Sequence, residues 1–85
     1  MKVLKFGATW CSGCLIMKPR WQEIEKENPW LETELYDYDG NQEVFNKYNV
    51  SDDLPCFIFL DDNGNEFLRL TVEISKEKIL EIIKK

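Results

Sequence analysis

Eighty-five residues confine the chain to one small domain, residues 1–85, and at this size folding removes roughly 60–65% of the unfolded surface from water. Apolar residues make up 44% and aromatic residues 13%, a composition that excludes a disordered tail. Eleven Lys and Arg against sixteen Asp and Glu leave a net charge of −5, which argues against nucleic acid as the main partner because phosphate binding needs a clustered positive face. No run approaches the ~20 apolar residues of a membrane span. The start, MKVLKFG, holds no apolar stretch long enough for a secretion signal, so the expected location is cytoplasmic. Histidine is absent, which removes Ser-His-Asp and Cys-His catalysis and histidine metal sites. Three cysteines, Cys11, Cys14 and Cys56, remain to carry chemistry.

In chain order, Lys2 to Gly7 alternates through Val3, Leu4 and Phe6 and reads as a short strand, followed by a loop over Ala8 to Trp10. A helix begins at Cys11, with Cys14, Met17, Trp21 and Ile24 at spacings of three and four on one face. Pro19 is expected to kink this helix without ending it, and Asn28-Pro29 is its stop. Thr33 to Tyr38 reads as a second strand. Asp39-Gly40-Asn41 is turn chemistry, with Asn41 the expected N-cap of a short helix through Val44, Phe45 and Tyr48. The polar loop Ser51-Asp52-Asp53 leads through Leu54-Pro55 into Cys56 to Leu60, a continuous apolar run suited to a central strand. Asp61-Asp62-Asn63-Gly64 is a hairpin signal, with Glu66 to Val72 as the returning strand. Ser75 caps a last helix whose apolar side is Ile79, Leu80, Ile82 and Ile83.

The order is βαβαββα. The first two strands, joined through a helix, are expected to be parallel with a right-handed crossover, and the last two form an antiparallel hairpin. Helices on both faces then cover a four-stranded mixed sheet, an α/β sandwich.

The sharpest local signal is Cys11-Ser12-Gly13-Cys14 just after a strand and at the start of a helix, the setting of a redox C-x-x-C. Unpaired backbone N–H groups and the positive end of the helix dipole stabilise a thiolate there. Cys11, at that end, reads as the exposed nucleophile. Cys14, one turn further in and on the face of Met17, Trp21 and Ile24, reads as the more buried, resolving thiol. Exchange through a mixed disulfide needs such a pair. A C-x-x-C is also half a zinc site, but four ligands are usual and only Cys56 remains, and cysteine can simply be a core residue.

Phe6, the segment Ala8-Thr9-Trp10-Cys11-Ser12-Gly13-Cys14, Pro19, and Leu54-Pro55 before an apolar strand together resemble thioredoxin. The resemblance covers nearly the whole chain and starts at what is the family's second strand, so it implies a minimal thioredoxin fold. It implies that Trp10 flanks the active site and that Pro55 is the cis proline lying against the two cysteines. Leu54 then offers its backbone N–H and C=O to an extended client. The activity implied is reduction of protein disulfides by a redox-active Cys11–Cys14 disulfide couple with no bound cofactor and no metal. Recycling falls to a flavoenzyme of the thioredoxin-reductase type or a small-molecule thiol, and proteins of this kind usually work as monomers.

Four departures from the family pattern matter. Lys5 stands where thioredoxins carry a buried Asp that assists proton transfer; its charge either favours a thiolate at Cys14 or is absorbed by a carboxylate partner or by reaching the surface. Ser12-Gly13 replaces Gly-Pro, which predicts a shifted potential, about 30 mV for every ~1.4 kcal/mol. Val72 falls near a glycine that keeps the substrate groove open. Cys56 replaces a threonine and is either a core residue or a third reactive thiol.

Two further functions compete. A glutaredoxin-like, glutathione-dependent activity is disfavoured because Leu70-Thr71-Val72-Glu73 stands where glutaredoxins carry a glycine pair, and there is no basic cluster for glutathione's carboxylates. A non-catalytic binding module would leave the C-x-x-C idle or metal-bound. Asp37-x-Asp39-x-Asn41 and Asp61-x-Asn63-x-Asn65 lack the Gly and Glu of a calcium loop. Asn49-Val50-Ser51 matches a glycosylation acceptor that a cytoplasmic chain does not use. Trp21 and Trp30 are assigned to core and edge packing, and the charges of the last helix to a solvated face.

Overall fold

The computed structural model describes residues 1–51, 54–71 and 73–84. They form β1 (Lys2–Gly7), α1 (Ser12–Glu27), β2 (Glu32–Asp37), α2 (Gln42–Lys47), β3 (Cys56–Leu60), β4 (Glu66–Leu70) and α3 (Lys76–Ile83), the expected βαβαββα order. The sheet runs β2-β1-β3-β4: β1 is central, parallel to β2 and antiparallel to β3, and β4 returns antiparallel on β3. Asp39 and Gly40, in the turn after β2, are exposed.

Strand alternation sends successive side chains to opposite faces, and the two faces have separate cores. Val3, Phe57 and Phe59 pack with Met17, Trp21 and Ile24 of α1 and Ile79, Ile82 and Ile83 of α3. Leu4, Phe6, Cys56, Ile58 and Leu60 pack on the other face with Phe45, on α2. All five side chains of β3 are buried, as its unbroken apolar run requires. Ser75 accepts the Lys78 N–H at 3.1 Å and caps α3, and α1 runs through Pro19 to its end at Asn28, whose backbone and side-chain N–H groups both reach the Ile24 carbonyl.

Several boundaries differ from expectation. β2 begins at Glu32 because Glu32 lies opposite Lys2, the first residue of β1; Tyr38 is past its end and donates its N–H to the Gly7 carbonyl at 2.8 Å. β4 stops at Leu70, opposite Phe57, because β3 starts just after Pro55, which has no N–H to extend the ladder. Val72, and with it the expected strand end and the groove position, lies outside the described residues, as do Asp52 and Asp53 of the polar loop. Asn41 precedes α2, but its amide turns back to the Asp37 carbonyl and caps no N–H of the helix. Gly64 closes the hairpin at φ +82°, a conformation that favours glycine, with its N–H on the Asp61 carbonyl. Trp30 is 54% exposed rather than packed at an edge, whereas Trp21 is in the core.

Phe59 is fully buried between the sheet and both α1 and α3. Phe59→Ala should cost about 3–5 kcal/mol, most of the stability of so small a domain, while Phe67→Ala at the half-exposed β4 position costs under about 1 kcal/mol. Urea denaturation checks this, and equal costs would contradict the burial of Phe59 between the sheet and the two helices.

Candidate active site

The site is assembled where β1 ends. Ala8, Thr9 and Trp10 carry the chain from Gly7 to Cys11, whose N–H donates to the Ala8 carbonyl at 3.2 Å. Cys11 is the N-cap of α1, and its Sγ accepts the Cys14 N–H at 3.2 Å. A Cβ on Gly7 would lie 3.2 Å from Cys14 Sγ, a tight contact, so the first turn of α1 packs closely on the end of the strand there. The Leu54–Pro55 bond is cis, and Pro55 Cδ would be 3.0 Å from a Cβ on Gly13. Trp10 is 56% exposed with its ring edge-on to Tyr38. Cys11 and Cys14 are both free cysteines here, and Ser12 between them is exposed.

The expected contrast between the two thiols is reversed. Cys11 is only 7% exposed, while Cys14 is half-buried. Capping is the reason: Cys11 Sγ is folded back over the first turn to reach the Cys14 N–H, whereas Cys14 opens onto a cavity of about 320 Å³ between α1 and the sheet. That cavity is also lined by Lys5, Trp21, Glu25, Tyr36 and Pro55. Cys14 nevertheless holds its proton firmly. Burial, and then a hydrogen bond with the Cys11 side chain, push its thiol up to about 12.

Lys5 reaches from β1 toward α1, where its Nζ donates to Glu25 Oε2 at 2.7 Å and lies 5.7 Å from the Trp21 ring centroid. Its charge is therefore absorbed by a carboxylate, within the same cavity that Cys14 lines. Cys56 is 1% exposed and belongs to the α2-side core with Phe6 and Ile58, while Cys14 lies in the α1-side cavity. Strand alternation thus puts the third thiol on the far face of the sheet. Among the described residues, no group of three or more His, Cys, Asp or Glu could hold a metal ion. Nor is any described helix long and apolar enough to cross a membrane.

A thioredoxin family model matches residues 1–81. The chain belongs to the thioredoxin family. It is 30% identical over 84 residues to thioredoxin-T of Drosophila melanogaster, covering 98% of this chain and 52% of that protein. To an H-type thioredoxin of Oryza sativa subsp. indica it is 35% identical over 62 residues, covering 73% and 50%. The chain thus spans about half the length of these curated relatives. Among solved structures it is similar to Fasciola hepatica thioredoxin, with 34% identity, a TM-score of 0.87, and coverage of 98% of this chain and 77% of that one. Thioredoxin 1 of Thermosipho africanus gives 28% identity, a TM-score of 0.83, and coverage of 99% and 91%. The architecture described above is the minimal thioredoxin fold.

Two residues of this thioredoxin site were not singled out by the sequence reading. Glu25 is the partner of Lys5; a lysine in an otherwise buried strand requires a counter-charge, and Glu25 follows Ile24 on the buried edge of α1, which was the available signal. Glu73 packs on Gly13, where its Oε1 would be 2.9 Å from a Cβ. Its sequence signal is its place after Val72, at the end of the segment Leu70-Thr71-Val72-Glu73 that stands where glutaredoxins carry a glycine pair.

A thiol pushed up to about 12 forms its thiolate only at high pH, so Cys14 of the reduced protein should resist alkylation through pH 10. Mass-mapped iodoacetamide labelling across pH 7–11 tests this, and an inflection near pH 9 at Cys14 would refute it. Glu25→Gln should lower stability by about 1–3 kcal/mol by stranding the Lys5 charge, and Lys5→Met by less, because its chain can pack on Trp21. Equal losses in urea denaturation would show that the pair is not what holds Lys5.

Proposed function

We propose that the protein reduces protein disulfides through the Cys11–Cys14 couple. The observation that carries this reading is the juxtaposition of both thiols in the first turn of α1 with the cis Leu54–Pro55 bond, Pro55 packing on Gly13 between the cysteines. Family membership supports it, since thioredoxins are thiol–disulfide oxidoreductases in general.

Cys11 is the nucleophile: as a thiolate it attacks one sulfur of the client disulfide, a Cys11–client S–S bond forms, and the displaced client sulfur takes up a proton. Cys14 then gives up its proton and attacks Cys11 Sγ. The Cys11–Cys14 disulfide forms, the mixed disulfide breaks, and the second client sulfur leaves and is protonated. Two electrons and two protons pass from the dithiol to the client. The raised Cys14 thiol suits this order, because burial first and its interaction with the Cys11 side chain second keep Cys14 protonated until Cys11 is consumed. Trp10 and the Leu54 backbone flank the client, and Ser12 and Gly13 tune the couple. A flavoenzyme of the thioredoxin-reductase type or a small-molecule thiol returns the electrons, and no bound cofactor takes part.

Cys14→Ser should trap client proteins as mixed disulfides at Cys11 that dithiothreitol releases, and Cys11→Ser should trap none. Reduction of a protein disulfide should fall by at least about 10³-fold in either variant. Full turnover by Cys11→Ser, or trapping at Cys56, would overturn the assignment.

A further inference from the structure

We infer that Glu73 selects the clients of the Cys11–Cys14 couple, favouring disulfides flanked by Lys or Arg and disfavouring acidic ones; the inference rests on the disulfide exchange proposed above. Glu73 lies against the residue between the two cysteines. A Cβ on Gly13 would meet its Oε1 at 2.9 Å and its Cγ at 3.3 Å, with Pro55 Cδ at 3.0 Å on the same point. The carboxylate, the turn that carries the thiols and the cis proline therefore form one surface. A client sulfur that reaches Cys11 brings its neighbouring residues past Glu73.

The charge at that surface is not neutralised. Glu73 is exposed and forms no ion pair with any described residue. Lys76 pairs with Glu23 and Glu27 and Lys5 pairs with Glu25, while Arg20 donates to the neutral Ile74 carbonyl and forms no ion pair with a described carboxylate. A carboxylate left unpaired beside a docking surface attracts a client cation and repels a client anion. For exposed unit charges about 7 Å apart, Coulomb's law in water gives about a threefold change in rate for each client charge, and added salt screens it.

The test uses the reduced protein against three disulfide-linked peptides that differ only in having Lys, Ser or Glu beside the cysteine. The readout is the ratio of second-order reduction rates for the Lys and Glu peptides, which is indifferent to any change common to all three. The wild type should prefer the Lys peptide by about tenfold at 20 mM salt, and the preference should shrink at 300 mM. Glu73→Gln should bring the Lys/Glu ratio near unity, because the attraction and the repulsion are lost together, and Glu73→Lys should invert it to about one-tenth. Glu32→Gln removes the same charge from an exposed position at the opposite end of the sheet, paired with Lys2 rather than Gly7, and should retain the wild-type ratio. If the peptides are reduced but Glu73→Gln and Glu32→Gln give one ratio, the selectivity comes from overall charge and Glu73 has no such role. If the wild type reduces none of the three peptides, it is the proposed exchange itself that fails.

Discussion

The first turn of α1 closes onto the end of β1 at Gly7, and the rest of the site depends on that contact. A Cβ there would lie 3.2 Å from Cys14 Sγ, which is how closely helix and strand approach. With that approach allowed, Cys11 falls at the N-cap and Cys14 one turn on, and Met17, Trp21 and Ile24 anchor the helix over the sheet. The strand itself is fixed on both sides, by β2 and by β3. Because Phe6 lies opposite Cys56, the same register that seats β3 carries Pro55 to the cysteines. Fold and site are thus one arrangement of a central strand.

Charge is distributed unevenly around this arrangement. On the α1 side, Lys5 stands where the family carries an acid, and Glu25 returns a carboxylate to the same cavity from the helix. The cavity therefore holds both signs beside a thiol that burial and its partner cysteine keep protonated. At the cis proline, by contrast, the carboxylate of Glu73 has no described ion-pair partner. Paired charges inside the cavity hold the helix and strand together, whereas an unpaired charge at the surface acts on whatever approaches it.

Much of the fold was legible in the sequence because its signals are local and agree with one another. The apolar run of β3, the helical spacing of Met17, Trp21 and Ile24, the turn at Asn63-Gly64 and the cap at Ser75 each match the element observed. The misreadings share a different cause. The ends of β2 and β4 are set by partner strands; the side chain of Asn41 has two acceptable uses; Trp30 is apolar in type and yet solvated. In each case the deciding neighbour is distant in sequence or is water.

The cysteine pair shows the same division. That Cys11 and Cys14 share the first turn of a helix after a strand follows from spacing alone, since residues three apart meet on one helical face. Which thiol is covered does not follow, because it depends on where Cys11 Sγ turns to find a donor and on the cavity that α1 and the sheet leave beside Cys14. Likewise composition alone removes histidine chemistry and sets the acidic balance, while the pairing of Lys5 with Glu25, the face on which Cys56 lies and the contact of Glu73 with Gly13 arise only when the sheet is assembled. Local periodicity is written residue by residue along the chain; contacts between elements are decided by how strands register and which faces they cover.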